Sequence, residues 1–490
     1  MSYRADIRAK KLERIRAKGA PRVLELCSGC GGMSLGLAAA GLELIAHVEL
    51  EPGAAESYAL NFPVPPTVLA DAWSQARDME VDAADDLVRE LGLKTATAES
   101  FDVLAAGLPC QAFARIGRSK LASVRGEEDA YRTDPRAKLY KRFLEYVDAT
   151  QPVAILIENV PDILNFGGHN VPEEICATLE QRGYLTGYTL LNAAYYGVPQ
   201  MRERLFLIAI DSSLGVRPSF PAPTHHVQLP SGYESARSVA MKHVPEDGRF
   251  IRVPAPAEGL PPAVTVKAAL ADLPYISEHV RTPEQMRRRK VNDRLPYREF
   301  LDLTPYQRLM REWSGFKTGG EVAGNVVRLT PRDFPIFKAM PKGADYPQAR
   351  KVAEELFEAR LKLERPRPPK GSAHWKVLQA EHVPPYDPGK FPNKWWKLDP
   401  ALPSRTLTAH MGKDTYSHIH WDSRQQRTVS VREAARLQSF PDGFRFSGAM
   451  NASYRQIGNA VPPLLAKAVA TSLKLLLARE PVRATIDDAA

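Results

Sequence analysis

Arg22-Val-Leu-Glu-Leu-Cys-Ser-Gly-Cys-Gly-Gly-Met33 decides the fold. It is a short apolar run of strand length, then a glycine-rich turn, then the helical stretch Met33–Ala40 stopped by Gly41. The alternation continues outward. Leu42–Val48 reads as a second strand and Pro52–Leu60 as a helix. Phe101–Ala106 is a strand ending at Gly107-Leu108-Pro109, and Arg136–Ala149 is helical. Pro152–Ile157 is a strand and Pro172–Arg182 a helix, with strands Tyr184–Leu191 and Leu205–Ile210 closing the set. Strands separated by helical runs predict an α/β fold with a doubly wound, mostly parallel sheet. Ligands of such sheets bind beyond the carboxyl ends of the strands.

The texture changes after Ser219. Residues 221–400 hold 24 of the 41 prolines and four of the six tryptophans (Trp313, Trp375, Trp395 and Trp396). Proline this dense favours loops and irregular structure. Charge divides in the same way. Residues 1–220 carry 24 basic and 29 acidic side chains, while 221–400 carry 30 and 21. The 5 basic and 5 acidic residues of 221–274 cancel, so the +9 of the middle lies within 275–400. A basic segment beside an acidic one suggests a polyanion partner, with solvated surface charge as the bland alternative.

The 490 residues are enough for two or three domains, and 44% hydrophobic with 25% charged is ordinary globular usage, which excludes a largely disordered chain. Four cysteines are too few for a disulfide framework, so a reducing cytoplasm is expected. The start is basic without an apolar signal core, and no run of about 18 apolar residues occurs, so no membrane partner is expected.

Four clusters carry chemistry. Glu25–Gly32 opens a helix after a strand, where glycines let a ligand approach the backbone. Glu49 ends the next strand, placed for ribose hydroxyls and repelling a phosphate, and Asp71 could accept from an adenine amine. A purely structural turn explains the glycines equally well. Cys27 and Cys30 form a C-x-x-C without a second pair, which reads as small turn residues rather than a metal or redox site. Cys110 sits just past a strand, followed by Arg115, Arg118, Lys120 and Arg125. Positive potential lowers a thiol pKa and favours a nucleophile, whereas a lone Cys is by default a small buried hydrophobe. Glu158 ends an apolar strand, a costly place for a carboxylate without a partner or a task. Gln200, Arg202 and Arg204 alternate on an extended segment and would point to one side.

Taken in order, these clusters resemble the DNA cytosine-5 methyltransferase family. Glu25–Gly32 resembles its first cofactor motif, and Gly107–Phe113 its Pro-Cys-Gln motif. Glu158-Asn159-Val160 and Gln200–Arg204 resemble its Glu-Asn-Val and Gln-x-Arg-x-Arg motifs. Arg432–Asp442 and Gln456–Pro462 resemble its ninth and tenth. The chain departs from the family at Cys27, where an aromatic is usual, and at Ala114, where a serine is common.

The resemblance implies a sheet of the class I methyltransferase type with a smaller, loop-rich target recognition domain. The expected division is a basic leader 1–20, a catalytic domain 21–274 with its connector, a recognition domain 275–400, a return to the catalytic domain over 401–478, and a tail 479–490. S-adenosylmethionine is the implied cofactor, held by Cys27, Ser28, Gly29, Gly31, Gly32, Glu49, Leu50, Asp71, Ala72, Pro109, Asn459 and Ala460. Cys110 would add to C6 of a flipped-out cytosine. Glu158 would hold or protonate N3, and Arg204 with Arg202 would bind the O2 side and orient Glu158. Double-stranded DNA is the implied partner. Gln111, Arg115, Arg118 and Lys120 would meet it from the loop after the nucleophile, and Arg287, Arg288, Arg289 and Lys290 from the recognition domain. No metal is expected. The family context implies a modification enzyme of a restriction-modification system, acting as a monomer beside a separate endonuclease. An RNA-directed relative, an inactive DNA-binding relative and a nucleotide-dependent oxidoreductase are the competing readings.

Overall fold

The apolar run Arg22–Leu26 forms β1, an interior strand of a six-stranded sheet. The computed structural model describes residues 3–109, 135–166, 168–299 and 302–479. The other strands are β2 (Glu43–Val48), β3 (Val103–Ala106), β4 (Ala154–Asn159), β5 (Tyr184–Asn192) and β6 (Glu203–Asp211). Their order is β2-β1-β3-β4-β6-β5. β1 to β4 pair in parallel, and β6 runs antiparallel to both β4 and β5. The doubly wound, mostly parallel α/β expectation therefore holds, with β6 as the reversed strand. Strand direction of travel switches between β1 and β3, where such sheets open a binding crevice.

The fold packs as two units. The first comprises the described residues within 1–197, 202–262 and 460–490, and the second those within 198–201 and 263–459. In the first, helix Gly32–Ala39 meets helix Pro463–Leu477 so closely that a Cβ on Gly36 would collide with Ala466, so only glycine fits. The far end of the chain thus returns to the helix that follows β1. The stretch Met450–Leu477 has the hydropathy of a membrane span, yet 61% of its most apolar window is buried, and Pro462-Pro463 divide it into two helices. It is core.

The leader forms helix Tyr3–Arg16. It buries Ile7, Leu12 and Ile15, and Lys11 donates to the carbonyls of Thr150 and Gln151 at 2.8 and 2.9 Å. Its tail of lysines and arginines is therefore partly interior.

The second unit is built on loops and mostly short helices, in keeping with its proline content, with one longer helix at Tyr346–Leu361. One core gathers Phe334, Phe337, Tyr346 and Trp395, with Trp395 stacked on Tyr416 at 4.7 Å. Residues 401–459 pack within this unit. Arg436 of helix Val431–Leu437 is wholly buried between Asp272 and Asp442.

Candidate active site

The turn after β1 is forced into left-handed backbone at three places. Cys27, Gly29 and Gly31 have φ of 53°, 56° and 94°. Gly31 admits no side chain, because a Cβ would strike the Phe62 ring, while a Cβ on Gly29 would meet nothing within 4 Å. Gly29 thus borders open space and Gly31 packs inward. The Gly29 amide donates to Glu49 Oε2 at 2.8 Å, and the Glu51 amide donates to Oε1 at 2.9 Å. Glu49 is fixed by backbone donors, with lone pairs left on both oxygens. Burial raises its pKa, opposed by those amides. Beside it Leu50 is 65% exposed, a large apolar side chain presented to solvent at a strand end. Asp71 is exposed in the first turn of helix Ala70–Trp73, and Ala72 is buried.

Burial pushes the Cys27 thiol up to about 12, and pushes Cys30 up also. Both are held as thiols, which suits turn packing rather than redox chemistry. Ser28 is buried with its hydroxyl 3.2 Å from His47 Nδ1. Gly32 begins the helix. Below the turn, Glu25 is buried and accepts from Ser34, and burial pushes its pKa up to about 8.

β3 ends alongside this turn. The Gly107 amide donates to Leu26 O at 3.1 Å, and a Cβ there would press on Cys27 O at 3.3 Å. Pro109 is exposed at the end of this stretch. Cys110, Gln111, Arg115, Arg118 and Lys120 lie outside the described residues. The chain leading to Cys110 is nonetheless anchored, because Asn159 Nδ2 donates to Leu108 O at 2.9 Å. Sequence reasoning gave Asn159 no task. Its place in the Glu-Asn-Val motif was the only signal.

Glu158 ends β4 and lies buried. Arg204 Nε donates to its Oε1 at 2.9 Å. Burial raises the Glu158 pKa, while Arg204 and then Arg202 pull it down. Arg202 is buried and its Nη2 donates to Ala460 O at 3.1 Å, tying the residue just before β6 to the tenth-motif segment. Asn459 is exposed, at the end of the second unit. Gln200 does not join the two arginines. Its amide donates to Leu437 O at 3.1 Å and accepts from Leu407 N at 2.9 Å, wholly within the second unit. The extended alternation fails there because β6 begins only at Glu203.

The basic cluster Arg287–Lys290 divides by environment. Arg287, Arg288 and Lys290 are exposed, with Arg287 paired to Glu284 at 2.7 Å. Arg289 is held internally by Glu278 at 2.7 Å and by Asn325 O.

A family model described as C-5 cytosine-specific DNA methylase matches residues 21–475. A chain of Oceanobacillus iheyensis named as a type II methyltransferase is 37% identical over 467 residues, covering 93% of this chain and 96% of its own. The type II methyltransferase M.AgeI of Thalassovita gelatinovora is 31% identical over 490 residues, covering 93% and 100%. A crystal structure described as a DNA modification methyltransferase encoded in an E. coli prophage shares the fold. Its TM-score is 0.57 at 21% identity, covering 94% of this chain and 100% of that one. The ordered motifs, the sheet and these likenesses agree: the chain belongs to the C-5 cytosine-specific DNA methylase family and is a DNA (cytosine-5-)-methyltransferase using S-adenosylmethionine as its methyl donor.

Proposed function

We propose that Cys110, Glu158, Arg202 and Arg204 carry out methyl transfer to a cytosine flipped out of duplex DNA, and that the chain is the modification enzyme of a type II restriction-modification system. The observation that carries the site assignment is the Glu158–Arg204 pair. A buried carboxyl held at 2.9 Å by a guanidinium stands at the end of β4, next to the strand whose loop leads to Cys110.

Cytosine C5 is a poor nucleophile. The Cys110 thiolate adds to C6, and the electron pair displaced from the C5–C6 bond is stabilised by proton donation from Glu158 at N3. C5 becomes enamine-like. Arg204 and Arg202 neutralise charge on the O2 side and keep Glu158 oriented. When bound, S-adenosylmethionine supplies an electrophilic methyl group. Loss of the C5 proton with expulsion of the Cys110 sulfur restores the aromatic ring. Extruding the base costs a few kcal/mol, which contacts from Arg115, Arg118 and Lys120 offset.

The residues at the strand ends suit that cofactor. Gly29 borders open space, Glu49 keeps lone pairs for a ribose diol, exposed Leu50 offers an apolar face to an adenine, and exposed Asp71 suits its amine. Cys27, Ser28, Gly31, Gly32, Ala72, Pro109, Asn459 and Ala460 complete the assigned set. Residues 275–400 are assigned to reading the target, with exposed Arg287, Arg288 and Lys290 as phosphate contacts that set register rather than sequence. The names of the relatives from Oceanobacillus and Thalassovita support the type II role. Free thiols at Cys27, Cys30 and Cys176 suit a reducing cytoplasm.

The test is transfer of labelled methyl groups to separate DNA and RNA pools. Label at cytosine C5 of duplex DNA, lost in Cys110→Ser, is expected, and an oligonucleotide bearing 5-fluorocytosine should trap a covalent adduct at Cys110. An active enzyme that traps no adduct would exclude Cys110 as the nucleophile. Bisulfite sequencing of DNA methylated by the protein would then read the target site.

A further inference from the structure

The face of β5 and β6 turned away from the Glu158–Arg204 pair carries a cavity of about 380 Å³. Side chains alternate along β6, so Arg204 projects to one face and Glu203 to the other. Glu203 lies directly opposite Asn192 of β5 in the antiparallel register, which sets the two side chains side by side on one wall. Tyr195, Tyr233, Val253 and Pro254 supply ring and apolar surface around them. The volume lies in the range of small-molecule sites.

The two polar groups are not equivalent. Asn192 is 1% exposed, and its Oδ1 accepts from Ala194 N at 3.1 Å. That bond fixes the amide orientation, since the flipped form would set an NH2 against an N–H. Asn192 Nδ2 is then a buried donor with no acceptor among the described residues. Buried donors are normally satisfied, so an orphan on a residue that lines a cavity points to a missing acceptor. Glu203 Oε1 is held by Arg237 Nη1 at 2.7 Å, and its Oε2 has no hydrogen-bond partner among the described residues. The wall therefore offers one donor beside one acceptor.

We propose that this cavity binds the lactam edge of a guanine-type base. O6 would accept from Asn192 Nδ2, and N1–H with the N2 amine would donate to Glu203, while the ring lies against tyrosine and proline surface. A carbonyl next to an N–H is the pattern that satisfies the wall. Guanine, hypoxanthine and the smaller uracil and thymine carry it, adenine and cytosine do not, and only guanine adds an N2 amine for the second acceptor site of the carboxylate. A quaternary cation suits the tyrosines but leaves Asn192 without an acceptor. A free nucleoside and DNA both present this edge, and the chemistry is shared.

The experiment is calorimetric titration of the full-length protein with guanosine, inosine, adenosine and cytidine, with saturating S-adenosylhomocysteine present to occupy the cofactor pocket. Guanosine should bind saturably, inosine more weakly, and adenosine and cytidine at least about tenfold more weakly than guanosine. Asn192→Asp keeps the oxygen that accepts from Ala194 and replaces the donor alone, so it should weaken guanosine at least about tenfold, and Glu203→Gln should do the same. A single-stranded oligonucleotide with one guanine that displaces guanosine identifies DNA as a source. Failure to displace it identifies the free nucleoside. No saturable guanosine binding by the wild-type protein, equal binding of adenosine, or guanosine binding unchanged in both variants overturns the assignment. The wild-type nucleoside series decides the matter even if a variant fails to fold.

Discussion

Arg204 stands diagonally across the β4–β6 ladder from Glu158, and its Nε reaches the carboxyl at 2.9 Å. Glu158 is paired in register with Phe206, two residues further along β6, so Arg204 and Glu158 share one face of the sheet. Both side chains are nearly withdrawn from solvent. Two opposing influences then set the proton on Glu158: burial raises its pKa, and the guanidinium lowers it.

Removing Arg204 should therefore raise the Glu158 pKa further. If methyl transfer needs the protonated acid, activity falls as pH rises through that pKa. The descending limb of the single-turnover pH profile should move to higher pH in Arg204→Gln. The rate at its optimum should fall about 10²–10³-fold for loss of the O2-side charge. Arg204→Lys should keep most of the limb's position but not the rate, because an ammonium cannot form the same planar contact. A limb that stays in place in Arg204→Gln would show that the pair orients the acid without tuning it.

Glu25 makes a stability prediction with the opposite biological meaning. Burial pushes its pKa up to about 8 in the folded chain, against the Ser34 hydroxyl that pulls it down. The folded state therefore holds a proton that the unfolded state releases near pH 4.5. Stability falls as pH rises from about 4.5 to about 8, and is not lost further above that. At pH 7 the penalty is on the order of 3 kcal/mol. Glu25→Gln removes the titration and should melt higher than wild type at pH 8 and nearly level with it at pH 5. A melting difference that does not change between these pH values would contradict a neutral Glu25.

Most of the sheet was legible because strand and helix periods alternate cleanly from Arg22 to Ile210. The candidate site was legible for the same reason: Glu25, Glu49, Glu158 and Arg204 are polar residues placed at the ends of apolar runs, where burial is expensive. Gln200 misled because an alternating pattern says which way side chains point only within a strand, and β6 starts three residues later. The packing of residues 401–459 with Asp272 was not legible either. It rests on Arg436, a residue whose buried partners lie 164 and 6 positions away and leave no periodic trace. Asn192 was invisible for a similar reason, since an unmet donor appears only once the cavity is built.

The cofactor assignment can be tested without DNA. Glu49 is already held by the Gly29 and Glu51 amides, so Glu49→Gln keeps one of these acceptors, sets an NH2 against the other amide, and should weaken S-adenosylhomocysteine by at least about tenfold. Leu50→Ala removes apolar surface that is exposed in the free protein, and should cost a similar factor through lost burial on binding. Isothermal titration reads both. Wild-type affinity in both variants would remove the β2 end from the cofactor site.

Arg436 predicts where the second unit fails first. Its guanidinium donates to Asp442 Oδ1 at 2.6 Å, to Asp272 Oδ1 at 2.9 Å and to Ala269 O at 2.7 Å, all wholly out of solvent. Arg311 also holds Asp272 at 2.6 Å, whereas Asp442 also accepts from the Tyr297 hydroxyl at 2.6 Å. Arg436→Met leaves Asp442 as a buried carboxylate with a neutral partner and should cost about 3–5 kcal/mol. Arg436 lowers the Asp442 pKa in the wild-type protein. Without it burial raises the carboxyl against only the weaker pull of Arg432 and the Tyr297 hydroxyl, so the deficit should be smaller at pH 5 than at pH 8. Calorimetry should show a transition for residues 263–459 that moves down while the sheet unit melts as before. Arg436→Lys retains the charge but not the two-sided fork, and should fall between the two. A deficit below about 1 kcal/mol in Arg436→Met, independent of pH, would mean that the two aspartates are satisfied by Arg311 and Tyr297 alone.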